Sequence, residues 1–478
     1  MSEDNLKEKT AKGLIWGGLS NGATQVIGAL LGIIMLRILS PDDYGKIAVL
    51  LIYSNIAANL QDSGFTSALI NIKEPTHEQY NSVFWFNILV STSIYVVLWF
   101  ASPFIADFNH DPSLTPLARF LFLSFVINSL GLVQRAYLVG HLKVKQNSII
   151  GLVALIISNT TGLILALLGF AYWGLATQSV LYIAIVSICV WHYSPWRPSF
   201  HFDLKPALAM FGFSSKILAT NLFNQLNTHV FSFLLGHYYN GRMTGLYSNA
   251  RKWNDMAAYT INGMMNSVSQ PVLAHVVDND ARYRAVFRKM LRFASFVCFP
   301  CMLGLALISR EFILITVDEK WAESAPMLSM LCLHGAFMPI SELYSRMSVS
   351  RGRSGVNMFC TITLCLLVWA GLFMMKSLGI YHMIVYFVGI NLMWLAVWQW
   401  FAWRMFRLRF IDAVKDVMPF FLLAAVVMTA TYYATMSIEN IYLCIMAKII
   451  MAAVLYIGLL YASGAVILRE AINYVKKR

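Results

Sequence analysis

Long apolar segments recur along the whole chain, and only short polar connections separate them. A helix that spans a membrane needs about 20 mainly apolar residues, and segments of this length dominate the sequence. The pattern predicts about fourteen membrane helices, over residues 13–39, 46–70, 82–100, 114–133, 149–168, 170–191, 211–235, 244–272, 290–308, 324–343, 356–375, 379–401, 417–436 and 441–468. We therefore expect an all-α polytopic membrane protein without a separate soluble domain.

The composition strengthens this expectation. Of the 478 residues, 58% are hydrophobic and 12% are charged, and the mean hydropathy is +0.63. Soluble globular chains carry about 25% charged residues, so this composition cannot cover a water-exposed surface. It argues against a soluble enzyme, a disulfide-rich secreted domain, a disordered chain and a nucleic-acid-binding domain.

The net charge of +13 is explained by membrane topology. Most of the 36 lysines and arginines fall in every second connection between the predicted helices, and few fall in the others. Connections rich in lysine and arginine lie on the cytoplasmic side, so we expect both termini in the cytoplasm. The first apolar segment lacks a cleavage pattern and is interpreted as a retained helix. No nucleic-acid partner is expected.

Two stretches of the chain resemble each other at an offset of about 200 residues. The polar turn at 36–46 matches that at 234–247, with Gly45 and Gly245 at equivalent positions. The basic loop 139–145 matches 349–355 in the same order. Repeated halves are common in transporters, and this pattern predicts a parallel repeat.

The repeat divides the chain into three predicted domains. Residues 1–205 form a first half of six helices, residues 206–410 form a second half, and residues 411–478 add two helices. We expect the halves to form a V-shaped bundle that works by alternating access, with a binding site near the middle of the membrane.

Ionisable residues inside predicted spans are the candidates for function, because a charge at bilayer depth costs about 2.5–3.5 kcal/mol on insertion scales. Arg251, Lys252 and Asp255 fall within one turn of the eighth predicted helix. Arg251 and Asp255 are four residues apart and can pair on one helix face. Two interpretations stay open: a self-neutralised structural pair, or a cavity face on which Arg251 or Lys252 binds a diphosphate.

Further candidates lie on the seventh and second predicted helices. Lys216, Asn224 and Gln225 can line a wet cleft and hydrogen-bond sugar hydroxyls, or can simply join helices. Asp62, like Asp255, is a candidate for ion coupling or ion pairing, and a structural carboxylate is the alternative. Lys448 on the last helix is expected to reach the outer headgroups. No catalytic group, cofactor site or metal-ligand cluster is recognised.

Three short motifs carry a family resemblance. They are Gly-Leu-Ile-Trp at 13–16, Arg-Ile-Leu-Ser-Pro-Asp-Asp-Tyr-Gly at 37–45 and Asp-Ser-Gly-Phe at 62–65. With the Gln-Pro-Val-Leu segment at 270–273, they make the chain resemble the multidrug/oligosaccharidyl-lipid/polysaccharide exporter superfamily. The resemblance is to its bacterial polysaccharide-transporter branch, which contains the O-antigen, capsule and colanic-acid flippases, and fourteen helices is the usual number in that branch.

The resemblance implies a function. Members of this branch move undecaprenyl-diphosphate-linked oligosaccharide repeat units from the cytoplasmic to the periplasmic leaflet of the bacterial inner membrane, for surface polysaccharide synthesis. It implies a transporter rather than an enzyme. The partners expected are the lipid-linked oligosaccharide and membrane lipid, with a polysaccharide polymerase and a chain-length regulator as further candidates. Proton or sodium coupling stays open.

Three alternatives also stay open. Within the superfamily they are a cation-coupled multidrug exporter and a lipid II flippase. From another class, an integral-membrane glycan polymerase or ligase would use the same lipid-linked sugars. Such enzymes typically carry a large periplasmic loop, and the sequence predicts none.

Overall fold

The computed structural model describes residues 22, 24–62, 69, 75–141, 143–200, 231, 233–351 and 353–462. Regular secondary structure in these ranges is helical. The helices are α1 Thr24–Ile38, α2 Pro41–Asp62, α3 His77–Phe108, α4 Leu114–Gly140, α5 Val144–Leu165, α6 Tyr172–Tyr193, α7 at 233–238, α8 Gly241–His275, α9 Asp280–Thr316, α10 Ser324–Ser350, α11 Ser354–Met375, α12 Ile380–Phe406, α13 Phe410–Thr435 and α14 Ile441–Ala462.

Eight of the described helices are long and apolar enough to cross a membrane, namely α3, α4, α5 with the turn that follows it, α6, α9, α11, α12 and α14. The predicted all-α, multi-pass membrane architecture is therefore confirmed. The count of fourteen spanning helices stays a prediction.

Two helices extend well beyond their predicted apolar segments. Helix α3 begins at a capping box, in which Thr76 accepts from the Gln79 amide and the Gln79 side chain accepts from the Thr76 amide. Helix α9 begins after Asn279, whose side chain accepts from the Arg282 amide. A hydropathy pattern identifies only the part of a helix that lies in the lipid. It therefore does not predict these polar, capped helix ends.

The described helices pack in two compact units, Met1–Gly245 and Leu246–Arg478. In the first unit, α3 packs against α4, α5 against α6, and α4 against α6. In the second unit, α9 packs against α10, α11 against α12, and α10 against α12. The two units thus use the same pairing scheme, displaced by six helices. The predicted bounds 1–205, 206–410 and 411–478 stay predictions.

The turns before α2 and α8 share one capping arrangement. The Asp43 amide donates to Ser40 Oγ over 3.2 Å, and the Met243 amide donates to Asn240 Oδ1 over 2.9 Å. Each side chain thereby satisfies an amide that has no partner within its own helix. The two caps lie 200 positions apart, at the offset at which the sequence repeats.

The loops before α5 and α11 also share their backbone geometry. The Lys143 amide donates to the Leu138 carbonyl, and the Arg353 amide donates to the Ser348 carbonyl, both over 2.9 Å. Each bond spans five residues and closes the end of one helix immediately before the next begins. These are the two basic loops that the sequence comparison aligned.

Helix α2 and the start of α8 meet where neither has a side chain. A Cβ atom on Gly45 would overlap the carbonyl group of Gly241, and one on Gly245 would overlap the carbonyl group of Pro41. Small residues at helix crossings allow backbones to approach closely in membrane proteins. The equivalent glycines of the sequence repeat thus form one glycine crossing.

Helices α13 and α14 pack on α9. Near the start of α13, the buried carboxylate of Asp416 accepts from Arg288 Nε over 2.6 Å and from Arg288 Nη2 over 3.2 Å. Arg292 Nε lies 3.4 Å from the same carboxylate, and Asp412 lies 3.6 Å from Arg288 Nη1. This Asp416 cluster joins α13 to α9 within the second unit.

A single arginine joins three helix ends at the loop between α10 and α11. Arg351 donates through Nη1 to the Met405 carbonyl over 2.9 Å and through Nη2 to Asp280 over 2.6 Å. Its guanidinium carbon lies 4.3 Å from the ring centre of Tyr283 and 5.3 Å from that of Phe406. The planar guanidinium group of arginine has several hydrogen-bond donors, so it can bond two partners and stack on aromatic rings at the same time.

We expect the Arg351→Lys variant to lose about 1–2 kcal/mol of stability, because an ammonium group cannot bond both partners and stack on two rings. Thermal unfolding of the purified protein in one detergent measures the loss. Arg353→Lys is the matched control, since Arg353 is exposed, and we expect a change below about 0.5 kcal/mol. Equal stability of the two variants would contradict the prediction.

Candidate functional site

Helix α8 carries the candidate site. Its polar residues occur throughout the helix, in contrast to the almost wholly apolar α14. Asn249 Nδ2 donates to Ser324 Oγ of α10 over 3.2 Å. Further along, Gly335 of α10 faces α8, and a Cβ atom there would lie 2.5 Å from Asn254 Oδ1. Helix α10 thus holds α8 closely along this face.

Arg251 and Asp255 form the ion pair that their spacing predicts. Arg251 Nε lies 3.3 Å from Asp255 Oδ2, with the two side chains 22% and 29% exposed. Asn254 Nδ2 donates to the other carboxylate oxygen over 3.1 Å. The pair is electrically neutral, so Arg251 attracts a distant anion less than an unpaired arginine would.

Lys252 points to a different side of the helix. Its side chain is exposed, and its ammonium group lies 5.9 Å from the ring centre of Trp253. It makes no ion pair with any residue that the structure describes. Of the two cations predicted on this helix, Lys252 is therefore the one whose charge is not offset by a neighbouring carboxylate.

Two tyrosines extend the pair along one side of α8. Tyr247, Arg251, Asp255 and Tyr259 follow each other at intervals of four residues and therefore lie along one face of the helix. Tyr247 is buried, Tyr259 is exposed, and both interact electrostatically with Arg251 and Asp255. We call these four residues the α8 stripe. It combines two phenol hydroxyls, which can donate and accept hydrogen bonds, with one donor (Arg251) and one acceptor (Asp255).

A histidine that the sequence analysis passed over lies beside this stripe. His334 of α10 lies within electrostatic range of Arg251 and Asp255 and close to Asn391 of α12. Its ring centre is 5.0 Å from that of Phe387. His334 is an ionisable residue inside a predicted span, and that signal could have identified it. Its partners lie on other helices, however, and no spacing along the sequence indicates them.

Glu342 and Arg346 form a second pair on α10. Arg346 Nε lies 3.8 Å from Glu342 Oε2, one helical turn away. Glu342 also interacts electrostatically with Tyr259 of the α8 stripe. Because Glu342 and Arg346 are four residues apart on α10, their side chains lie next to each other on the helix surface and can pair.

Several predicted site residues lie outside the described residues. Lys216, Asn224 and Gln225 belong to the range 201–230, and Asp62 is the last residue of α2, with its side chain beyond the described part. Their assignment to substrate binding or ion coupling stays a prediction.

The expectation for Lys448 is wrong. Its side chain is buried, and Nζ donates to Glu311 Oε1 over 2.7 Å and to the Leu307 carbonyl over 3.3 Å. A carboxylate on α9 therefore pairs with this ammonium group inside the helix packing, in place of the predicted contact with lipid.

The fold and the α8 stripe together define a multi-pass membrane protein with ionisable groups inside a helical bundle, a feature typical of transporters. The chain belongs to the polysaccharide biosynthesis protein family, whose model matches residues 34–326. This membership confirms the predicted branch and the predicted role in polysaccharide biosynthesis.

Two relatives extend the match over most of the chain. The lipopolysaccharide biosynthesis protein WzxC of Escherichia coli (strain K12) is 24% identical over 359 residues, which are 74% of this chain and 72% of that protein. The teichuronic acid biosynthesis protein TuaB of Bacillus subtilis (strain 168) is 24% identical over 382 residues, which are 79% of each chain.

Two solved structures share the fold. The lipid II flippase MurJ in an inward closed conformation gives a TM-score of 0.77 at 15% identity, covering 96% of this chain and 100% of that one. An inward-facing multidrug resistance MATE family transporter of the MOP superfamily gives a TM-score of 0.61 at 14% identity, covering 85% and 95%. The fold of the predicted superfamily is thereby confirmed.

Proposed function

We propose that this protein is a flippase, which moves polyprenyl-diphosphate-linked oligosaccharide repeat units from the cytoplasmic to the outer leaflet during synthesis of a surface polysaccharide. The observation that carries the proposal is the combination of a polysaccharide biosynthesis family with a flippase fold over nearly the whole chain. The protein acts in the bacterial inner membrane with both termini in the cytoplasm, and it makes and breaks no covalent bond.

The proposed architecture has fourteen spanning helices, arranged as two six-helix halves and two additional helices. The equivalent caps at Ser40 and Asn240, and the equivalent loops before α5 and α11, support a repeat. The matching packing schemes of the two units support it as well. Alternating access follows from such a repeat, since one half can move relative to the other about a central site.

The charged head of the substrate dictates the chemistry of the site. A diphosphate and a hydroxyl-rich glycan cannot enter hydrocarbon, while a polyprenyl chain can remain in the lipid. In the proposed mechanism Lys252 binds the diphosphate, assisted by Lys216 and Arg251. The accessible residues of the α8 stripe, with Asn224 and Gln225, hydrogen-bond the sugar hydroxyls.

The direction of transport follows from charge. Moving an anion out of an inside-negative cell is favoured by about 2.3 kcal/mol per elementary charge for each 100 mV. Proton or sodium coupling through Asp255 or Asp62 would add to this driving force. A polymerase that consumes the repeat unit at the outer surface, with its chain-length regulator, would keep the outward step downhill.

We expect the Lys252→Ala variant to lose most of its transport, because it removes the cation that has no described ion-pair partner. Lys252→Arg keeps the charge and is expected to retain transport. Lys415→Ala is the control for a lysine outside the site, since Lys415 is exposed near the start of α13. The measurement is surface polysaccharide in a deletion strain, with protein levels matched, followed by flipping of a labelled repeat unit in vesicles.

A triple variant gives the sharper test. If Arg251→Ala, Lys252→Ala and Lys216→Ala together leave surface polysaccharide intact at normal expression, the proposed diphosphate site is refuted. The vesicle assay also separates the alternatives. Flipping of lipid II but not of the repeat unit would indicate a lipid II flippase, and formation of a glycosidic bond would indicate a polymerase or ligase.

A further inference from the structure

A cavity of about 370 Å³ lies where the ends of α9 and α13 meet the start of α14. Its volume falls within the range of about 300–1,000 Å³ typical of ligand pockets. Its polar lining contains Arg310, Glu311, Tyr432, Glu439 and Lys448. All of these belong to the second unit, and none belongs to the α8 stripe.

The floor of this cavity is a buried ion pair. Lys448 and Glu311 lie 2.7 Å apart, with side chains only 6% and 13% exposed. The Lys448 ammonium also lies 5.6 Å from the ring centre of Tyr432. Oxygen Oε1 of Glu311 accepts from Lys448, whereas the buried Oε2 has no hydrogen-bond partner among the described residues.

The rim of the cavity carries one further charge of each sign. Arg310 and Glu439 are exposed, and neither side chain makes a hydrogen bond or an ion pair with another residue in the described ranges. Together with the floor, they give the cavity two cations and two anions. A ligand with no net charge but with separated positive and negative groups matches this distribution, because it leaves no uncompensated charge.

The surroundings of the cavity are apolar and exposed. Met436, which lines the cavity, is 70% exposed, and the neighbouring Tyr442 and Leu443 are 65% and 62% exposed. Exposed apolar side chains continue along α14 through Met446, Ile450 and Val454 to Ile457. In a membrane-spanning helix such a surface faces the lipid chains. The polar cavity therefore lies at the end of a lipid-facing surface.

We propose that this cavity binds the headgroup of a zwitterionic phospholipid of the phosphatidylethanolamine type. Arg310 bonds the phosphate, and Glu439 pairs with the ammonium group. The acyl chains lie along the exposed side of α14. With both termini in the cytoplasm, as proposed above, the cavity lies in the outer leaflet. The headgroup site does not depend on which substrate the protein transports.

Lipid retention tests the proposal. The full-length protein is placed in nanodiscs of phosphatidylethanolamine and phosphatidylglycerol in equal amounts, then extracted, and the co-purified lipids are quantified by mass spectrometry. We expect enrichment of phosphatidylethanolamine. Each of Arg310→Gln and Glu439→Gln is expected to reduce the enrichment about tenfold, because each removes one charge-assisted bond. Both residues lie at the exposed rim, so the fold tolerates the changes.

The controls separate this site from general lipid affinity. Arg353→Gln changes an exposed arginine at the opposite ends of the helices and is expected to keep the enrichment. Equal retention of phosphatidylglycerol, or full enrichment in both rim variants, would overturn the proposal. Glycerophosphoethanolamine is added as a soluble competitor. If this competitor displaces the lipid at equal concentration, the cavity binds a soluble zwitterionic molecule and the lipid assignment is wrong.

The two proposals fail separately. Lipid enrichment that disappears in the rim variants while transport continues supports the headgroup site alone. Loss of transport in Lys252→Ala with unchanged lipid enrichment concerns the flippase site alone.

Discussion

The Asp416→Ala variant is expected to lose about 3 kcal/mol of its free energy of unfolding. The Asp416 side chain is only 4% exposed and accepts from Arg288 at two positions, with Arg292 also nearby. Removing the carboxylate leaves Arg292 without its acidic partner and leaves Arg288 with only the more exposed Asp412. Because these arginines are 31% and 43% exposed, water rehydrates them in part and keeps the loss at the lower end of the range for buried pairs.

The same cluster contains the control. Asp412 also faces Arg288, but its side chain is 31% exposed and the closest atoms are 3.6 Å apart. Exposed pairs contribute about 0–1 kcal/mol, so Asp412→Ala is expected to lose less than about 1 kcal/mol. Thermal unfolding of both variants in one detergent gives the comparison. Similar losses in both would show that burial of Asp416 does not determine the strength of this cluster.

The Gly245→Ala variant is expected to lose about 3 kcal/mol or more and to lose transport. At the glycine crossing, a Cβ atom on Gly245 overlaps the backbone carbonyl of Pro41. Overpacking costs about 1–3 kcal/mol when side chains can adjust. Here the obstacle is backbone, so α2 and α8 must separate, and the effect lies at or above the upper limit of that range.

Gly151→Ala is the matched control for this prediction. Gly151 lies in the interior of α5, and its Cβ position has nothing within 4 Å. An alanine there is expected to stabilise the helix by about 0.5–1 kcal/mol. Unfolding temperature and surface polysaccharide are measured for both variants. If Gly245→Ala matches Gly151→Ala in both measurements, the close approach of the two helices is not required.

The features predicted well from the sequence are local. The spacing of four residues identifies the pair Arg251–Asp255, and this pair is formed. The internal repeat identifies equivalent turns, and the structure shows the same cap at Asn240 as at Ser40. Such features depend only on neighbours along the chain, so one sequence is sufficient to find them.

The features missed from the sequence join distant positions. Glu311 and Lys448 are 137 residues apart, and Arg288 and Asp416 are 128 residues apart. Nothing in the composition of α14 indicates that the Lys448 ammonium group finds a carboxylate on α9. His334 was overlooked for the same reason, because the residues around it come from α8 and α12. These pairings depend on helix packing, which periodicity alone does not specify.

The two ion pairs along α9 have opposite polarity, and this has a consequence for insertion of the chain. Near its start α9 supplies the bases Arg288 and Arg292 to an acid of α13, and near its end it supplies the acid Glu311 to a base of α14. If the α13–α14 hairpin were inserted upside down, Asp416 would meet Glu311 and Lys448 would meet Arg288. Like charges would then face each other near both ends of α9, so these two ion pairs disfavour the inverted arrangement of the hairpin.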